Sequence, residues 1–181
     1  MDVAVVIPIG SFDRVLSEQV KRVLGQRDAS LRELVLSLNT PLSHIAAGVQ
    51  SIAEECDDPR VRIVDSSSRK GAAHARNVGA LATSAECVAF CDADDLVHDG
   101  WLSALVEGLE TFDAVSGRVV DVFPNTRMRH WYPQTTTGTL NSFLGRPYLL
   151  TGNLAIRRTA FDAVHGFYDA LTRCEDIAIS W

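Results

Sequence analysis

The sequence lacks the features of a membrane-spanning or nucleic-acid-binding protein. Its longest apolar run near the start, VAVVIPI at 3–9, is far shorter than the ~18 residues that a membrane span requires. The start MDV has no basic n-region of a signal peptide, so we expect a cytoplasmic location, with peripheral association at the inner face of the membrane left open. Acidic residues outnumber basic ones by 23 to 17, so a basic footprint for nucleic acid is missing.

Two common kinds of site are also missing. No CxxC pair is present, which argues against a structural zinc site, and no GxGxxG follows the first apolar run, which argues against a dinucleotide-binding domain. Cys87 and Cys91 flank one apparent strand, where four steps of ~3.3 Å hold them ~13 Å apart, too far for a disulfide. We therefore expect the four cysteines to be buried free thiols.

The 181 residues fit a single domain whose core needs no disulfide. Short β-branched segments alternate with amphipathic ones over the first 110 residues. Strands are predicted at 3–9, 33–38, 61–65 and 86–91, and helices at 14–25, 41–55, 72–84 and 100–110. We expect Pro41 to open the second helix and Asp99 to be the N-cap of the fourth. The alternation predicts an α/β fold with a mostly parallel sheet and helices on both faces.

The pattern changes after residue 112. We predict a strand at 112–123, a long loop at 124–148, a strand at 148–158, a short helix with a turn at 160–167 and a helix start at 174–181. Long loops in compact domains are often binding loops. Because the chain ends at Trp181, barely two turns into a helix, we expect it to be C-terminally truncated.

The stretch FCDADD at 90–95 places Asp92, Asp94 and Asp95 where a predicted strand ends. Ligands of such sheets bind outside the carboxyl ends of the strands. Aspartates there can also cap a helix, but Asp99 already has that predicted role. Oxygen ligands suit Mg²⁺ or Mn²⁺, which often take one or two protein carboxylates and complete their shell with phosphate and water. Such a cation would neutralise the cluster and recruit a diphosphate to an acidic protein.

A second acidic pair, Glu175 and Asp176, precedes an amphipathic segment. Two interpretations are open. Acids in the first turn of a helix are stabilised by the helix dipole. A carboxylate at a helix start near an active site is also a suitable general base.

Several motifs occur together in the order of one known family. They are VVIPIGS at 5–11, GQ at 25–26, GAAHARNVGALATSAECVAFCDADD at 71–95 and GNLAIRRTAFDAVHGFYDALTRCEDIAIS at 152–180. The chain thereby resembles the family-2 glycosyltransferases, which have the GT-A (Rossmann-like) fold. The combination of ARN-x-G, DADD and ED is the most specific part of the resemblance.

The resemblance implies a metal-dependent inverting glycosyltransferase. It would move a sugar from a nucleotide-diphospho-sugar, with a UDP-sugar favoured, to the hydroxyl of a saccharide or glycolipid acceptor, in polysaccharide or glycoconjugate synthesis. Asp94 would coordinate Mn²⁺ or Mg²⁺, and Asp92 would contact the ribose or the water of the metal. Asp176 would be the catalytic base, and Glu175 would orient it or meet the acceptor.

The same resemblance assigns the donor site and two halves of the single domain 1–181. Residues expected to bind the nucleotide-sugar are Pro8, Ile9, Gly10, Ser11, Asn39, Lys70, Arg76, Asp92, Ala93 and Asp94. We expect 1–112 to be the nucleotide-sugar half and 113–181 the acceptor half.

Departures from the family pattern leave alternatives. Asn39 lies in SLNT where the family has an aspartate that binds uracil, and its amide could pair with a base edge. Arg76 either contacts the diphosphate or base, or ties its helix to a strand end. A degenerate, non-catalytic nucleotide-sugar-binding module is a second hypothesis. A nucleotidyltransferase is a third, although PIGSFDR at 8–14 is a poor match to the glycine-rich, basic loop that such enzymes need.

Overall fold

Six strands of the described chain form a central sheet. The computed structural model describes residues 1–12, 15–27, 31–119, 141–171 and 173–181. The strands within these ranges are β1 Val3–Ile9, β2 Leu31–Leu38, β3 Val61–Asp65, β4 Cys87–Cys91, β5 Ala114–Ser116, β6 Asn141–Phe143, β7 Arg146–Tyr148 and β8 Asn153–Arg157. The helices are α1 Leu16–Leu24, α2 Ser43–Cys56, α3 Ala72–Leu81, α4 Trp101–Leu109, α5 Arg158–Ala163 and α6 Glu175–Ser180. None of these described helices is both long and apolar enough to span a membrane.

The sheet has the strand order β3-β2-β1-β4-β8-β5. β1 pairs in parallel with β2 and β4, and β2 pairs in parallel with β3. β8 runs antiparallel to its neighbours β4 and β5, and β6 with β7 forms a separate hairpin. The predicted α/β class with a mostly parallel sheet is confirmed. The ends of β1 to β4 lie along one side of the sheet, which we call the carboxyl edge.

Alternating side chains of the strands build one core on each face of the sheet. On one face, Val5 of β1 packs with apolar residues of α1, α2 and α4, among them Val20. On the other face, Val6 of β1 and Phe90 of β4 pack with α3 and with Phe161 of α5. The continuous apolar run at 3–9 is therefore explained, because β1 is covered on both sides.

Two predicted capping residues are wrong. The N-cap of α4 is Gly100, with a φ of 76°, and no side chain caps this helix. The backbone turn supplies the bond instead, since Trp101 N–H donates to His98 O at 3.1 Å, and Asp99 is not needed as a cap. Pro41 lies before α2 rather than in its first turn, because the chain stays extended through the N-cap residue, Leu42.

The second half of the chain differs from the prediction in its strands. The strand expected at 148–158 is interrupted by a turn at 151–152 and continues as β8, because β4 offers only five residues for pairing. The strand expected at 112–123 is β5 within the described residues. Residues 120–140, which hold most of the loop predicted at 124–148, lie outside the described residues, as does Arg14 of the first predicted helix.

All four cysteines are free thiols, as predicted. Cys87 and Cys91 are buried in β4. The expectation of burial is wrong for Cys56, which is half-buried, and for Cys174, which is exposed. Cys174 lies in a left-handed turn before α6, with a φ of 63°, and this turn carries its side chain outside the core.

Gly79 lies where α3 approaches β1 closely, and a substitution at this position tests the packing. A Cβ at Gly79 would lie 2.4 Å from Val6 Cγ1. Overpacking costs about 1–3 kcal/mol, and alanine gains roughly 1 kcal/mol over glycine in a helix, so the net cost is up to about 2 kcal/mol. We expect Gly79→Ala to lower the free energy of unfolding by about 1–2 kcal/mol, measured by urea denaturation, because the Cβ would meet a buried side chain.

Gly48→Ala in α2 is the matched control. A Cβ at Gly48 would meet the ring of Phe12, which is 48% exposed and can move aside. We expect this variant to be neutral or more stable than the wild type. Equal shifts of the unfolding midpoint in the two variants would contradict the packing argument.

Candidate functional site

The carboxyl edge gathers the loops that the sequence analysis selected. β1, β2, β3 and β4 end there at Ile9, Leu38, Asp65 and Cys91. Because β8 runs in the opposite direction, its first residue, Asn153, pairs with Cys91, and the preceding Gly152 lies at the same edge. The structure thus brings together the predicted loops 8–11, 37–40, 65–70 and 92–95.

Arg76 of α3 links the two acidic motifs. Its side chain is 4% exposed. Nη2 donates to Asp92 Oδ1 at 2.7 Å and Nη1 donates to Glu175 Oε1 at 2.9 Å. The guanidinium carbon lies 5.7 Å from the centroid of the Phe167 ring, and Nε has no hydrogen-bond partner among the described residues. Of the two roles considered for Arg76, the structure shows the tie between a helix and a strand end, and it adds Glu175.

The carboxylates of the DADD loop occupy different environments. Asp92 lies between Arg76 and Gly152, where a Cβ would be 2.5 Å from Asp92 Oδ2, so a glycine is needed for this approach. Ala93 is half-buried and Asp94 is exposed. The loop therefore holds one carboxylate firmly and presents the next one to solvent.

Two buried glutamines hold the backbone of this loop. Gln19 Nε2 donates to Asp92 O at 3.4 Å, and Gln19 Oε1 accepts from Val97 N–H at 2.9 Å. Gln26 Nε2 donates to His98 O at 3.0 Å. Because buried polar groups of a fixed loop need such partners, the glutamines favour one conformation of 92–98.

Asn39 holds the neighbouring 66–71 loop. Its side chain is buried, and Nδ2 donates to the carbonyl oxygens of Ser66 and, at 2.9 Å, Arg69. Oδ1 accepts from Gly71 N–H at 2.8 Å. These bonds engage both the donor and the acceptor group that the sequence analysis considered for a base edge. Asn39 thereby positions the loop that carries Lys70, whose side chain is exposed.

The loop after β1 opens onto solvent. Ile9 is buried and Pro8 is half-buried, whereas Gly10 and Ser11 are exposed. Nothing lies within 4 Å of the position that a Cβ of Gly10 would take. There is room at this end of β1 for a ligand to approach the backbone.

Asp176 lies in the first turn of α6. Its Oδ1 accepts from Ile177 N–H at 2.8 Å. Ser180 Oγ donates to Asp176 O at 2.6 Å and accepts from Leu149 N–H at 2.9 Å, which fixes α6 against the residue after β7. Burial raises the pKa of the Tyr148 hydroxyl, and the nearby Asp176 carboxylate raises it further. The half-buried Asp176 is therefore placed beside a phenol that stays protonated at neutral pH.

The donor set at DADD fits a hard divalent cation that needs few protein ligands. Among the described residues, no three His, Cys, Asp or Glu side chains are grouped to hold a metal by themselves. Asp94 and Asp92 offer carboxylate oxygens, which suit Mg²⁺ or Mn²⁺ with phosphate and water in the remaining positions. The adjacent Cys91 side chain is buried in the sheet, and this burial raises the pKa of its thiol well above the usual range.

Sequence reasoning missed the residues that brace the site. Gln19 had a signal, because it lies three residues after Leu16 on the apolar stripe of α1, where a polar side chain needs a buried partner. Asp169 had none. It bonds to Arg69 and His74, which are 100 and 95 residues away along the chain.

Known glycosyltransferases share this architecture. The chain is 26% identical over 117 residues to Glycosyltransferase GlyG of Streptococcus pneumoniae serotype 4, which covers 62% of this chain and 36% of GlyG. Mannosyltransferase PcManGT of Pyrobaculum calidifontis, solved with GDP-Man and Mn²⁺, matches with a TM-score of 0.69 and 23% identity over 91% of this chain and 47% of PcManGT. S. aureus TarS 1-349 with UDP-GlcNAc matches with a TM-score of 0.75 and 16% identity over 99% of this chain and 52% of TarS.

These likenesses confirm the expected GT-A fold. The chain spans roughly a third to a half of the length of these relatives. The model of the family described as Glycosyl transferase family 2 matches residues 5–165. The match includes Arg76 and the DADD loop and ends before Glu175. The chain therefore belongs to glycosyl transferase family 2.

Proposed function

We propose that the chain is the donor-binding and catalytic part of a metal-dependent, inverting glycosyltransferase. The observation that carries the proposal is the buried Arg76, which joins Asp92 of DADD to Glu175 of ED at the carboxyl edge. A buried ion pair adds little stability by itself compared with apolar packing. Stability alone therefore does not explain why an arginine is buried between these two carboxylates. A site that must hold both carboxylates in fixed relative positions does explain it.

Asp176 is the proposed general base. It takes the proton of the acceptor hydroxyl while that oxygen attacks C1 of the donor sugar, and the electron pair of the breaking C1–O bond leaves on the diphosphate. The reaction is a single displacement with inversion at C1, unlike retaining hydrolases, which form a covalent intermediate on a carboxylate. Glu175, fixed by Arg76, orients the helix start that carries Asp176.

The donor is proposed to lie along the carboxyl edge, across the loops that contain Gly10, Asn39, Lys70 and Asp94. The exposed Lys70 suits the diphosphate, and Asn39 sets the position of its loop. Mn²⁺ or Mg²⁺, held by Asp94 together with Asp92, would neutralise charge on the leaving diphosphate. We propose a UDP-sugar as the donor on the basis of the family resemblance. A GDP-sugar is the alternative, because PcManGT was solved with GDP-Man, whereas TarS was solved with UDP-GlcNAc.

The two halves divide the work in this proposal. Residues 1–112 supply the donor loops, and 113–181 supply Asp176 and the acceptor side. A saccharide or glycolipid acceptor fits a role in polysaccharide or glycoconjugate synthesis, in the cytoplasm or at the inner face of the membrane.

Nucleotide binding is the first test. We expect one nucleoside diphosphate from a panel of UDP, GDP, ADP and CDP to bind in calorimetry with Mn²⁺, and to bind more weakly without it. Asp94→Asn should bind this nucleotide equally weakly with and without Mn²⁺, because the substitution removes a charged oxygen ligand of the metal. Asp57→Asn is the control, since Asp57 lies beyond α2 in a left-handed conformation that asparagine also adopts. Binding of no nucleotide under any condition would contradict the donor site.

Catalysis is tested separately through Asp176. Loss of a general base costs about 10²- to 10⁴-fold in rate. We expect Asp176→Asn to reduce nucleotide release from the matching donor, measured with simple glycosides as acceptors, by this factor while donor affinity stays close to the wild type. Asp162→Asn on the exposed side of α5 is the control. A wild type that binds donor but transfers no sugar would instead support the non-catalytic binding module.

The Arg76 bridge makes a third prediction. Removing one partner of a buried ion pair lowers the free energy of unfolding by about 3 kcal/mol or more. We expect a loss of about 3 kcal/mol for Arg76→Gln, at the low end of the usual range, because Asp92 is partly exposed. Arg32→Gln, which breaks the pair of Arg32 with Asp2 at the surface, should cost about 1 kcal/mol or less. Urea unfolding measures both. Equal unfolding midpoints for the two variants would contradict this prediction, because the Arg76 bridge would then contribute no more to stability than a surface ion pair.

A further inference from the structure

One face of α3 makes polar contacts with the segment that leads to the catalytic helix. Asn77 Nδ2 donates to Phe167 O at 2.8 Å, and Asn77 Oδ1 accepts from Phe167 N–H at 2.8 Å. Arg76 holds Glu175 at the far end of the segment. A third contact lies between these two along the segment, at Asp169, and it is the one that also reaches the 66–71 loop.

Asp169 is bonded through both of its carboxylate oxygens. Oδ1 accepts from Arg69 Nη1 at 2.8 Å, and Oδ2 lies 3.1 Å from His74 Nδ1. His74 Nε2 is in turn 3.2 Å from Ser68 Oγ. Asp169 thus joins the turn before α6 both to the 66–71 loop and to the first turn of α3. We call these four residues the Asp169 clamp.

The clamp completes the support of the 66–71 loop. Asn39 holds the backbone of this loop from the sheet side. Two of the loop's side chains make further contacts: Arg69 bonds to Asp169, and Ser68 lies within hydrogen-bond distance of His74 in α3. Lys70 follows Arg69 and remains exposed. Asp169 is thereby bonded to the residue that precedes Lys70, and it lies seven positions before Asp176 in the sequence.

The order Ser68, His74 and Asp169 resembles a nucleophile triad, but the contacts favour another role. The aspartate of such a triad is buried and serves the histidine. Asp169 is 29% exposed and shares its charge with Arg69, which is 52% exposed. These features are typical of a polar tie between two surface segments.

We propose that Asp169 and His74 are positioning residues that couple the 66–71 loop, with Lys70, to the segment that carries Glu175 and Asp176. The inference rests on the proposed function. In an inverting displacement the acceptor oxygen, C1 and the leaving diphosphate oxygen must lie in line, so the base and the diphosphate contacts must keep one relative position. The clamp connects the chain segments on which these two sets of groups lie, on the outer side of Arg76.

Hydrogen exchange tests the coupling without reference to activity. In Asp169→Asn, we expect amide exchange to accelerate together in peptides covering 66–71 and 173–180. Asp58→Asn is the matched control, because Asp58 also holds an arginine, Arg60, but does so before β3 at the opposite edge of the sheet. Arg69→Gln gives a second route, since it removes a charged donor of the clamp without altering the 167–175 segment.

Kinetics test the positioning role. A small misplacement of reacting groups can cost up to about 10²-fold, and we expect a loss of about tenfold in kcat for Asp169→Asn with little change in the KM of the donor. Asp169→Glu should restore part of the loss, because it keeps a carboxylate that can reach Arg69. A role in stability alone would lower the melting temperature and leave kcat unchanged.

The outcomes separate the clamp from the proposed function. Joint acceleration of exchange with a reduced kcat supports the coupling. An active wild type whose Asp169→Asn variant has the same kcat, or accelerated exchange at 66–71 alone, overturns it. A wild type that binds no donor overturns the proposed function and, with it, the catalytic meaning of the clamp.

Discussion

A buried guanidinium must be neutralised, and Arg76 meets this requirement with two carboxylates that are far apart in the sequence, one in the middle of the chain and one near its end. Asp92 and Glu175 both bond to it, and its side chain is 4% exposed. The same contact answers why three aspartates can lie so close in FCDADD. The arginine offsets the charge of the first one, so the repulsion within the loop falls before any cation binds. The first residue of α6, Glu175, is then fixed to the same guanidinium.

The composition of α3 follows from its position between the sheet and the segment that leads to α6. Its small residues Gly79 and Ala80 face the core and let the helix approach β1 closely. Its polar residues His74, Arg76 and Asn77 bond to the 167–175 segment. A larger residue on the core side would move the helix outward and with it the guanidinium that joins both acidic motifs.

Local patterns predicted the parts of the fold that depend on neighbouring residues in the chain. The apolar run of β1 and the alternation through β4 were sufficient to predict the sheet and its carboxyl edge. The periodicity and burial of such elements can be inferred from residues that are consecutive in the chain. Asp99 illustrates the limit, since a favourable cap residue gave way to a backbone turn with glycine at its end. The bonds of Gln19 to the DADD loop and of Asp169 to α3 could not be predicted, because their partners are defined only after the chain has folded.

The charge balance at the carboxyl edge is the reason that the proposed mechanism includes a divalent cation. Arg76 is already neutralised by two carboxylates, and Arg69 is paired with Asp169. A nucleotide diphosphate adds negative charge to this edge of a chain whose net charge is −6. Of the cationic side chains in the loops at 65–70 and 92–95, Lys70 is the exposed one outside these pairs. One ammonium does not balance a diphosphate beside Asp92 and Asp94, and this is the physical reason for expecting a divalent cation between the DADD carboxylates and the donor.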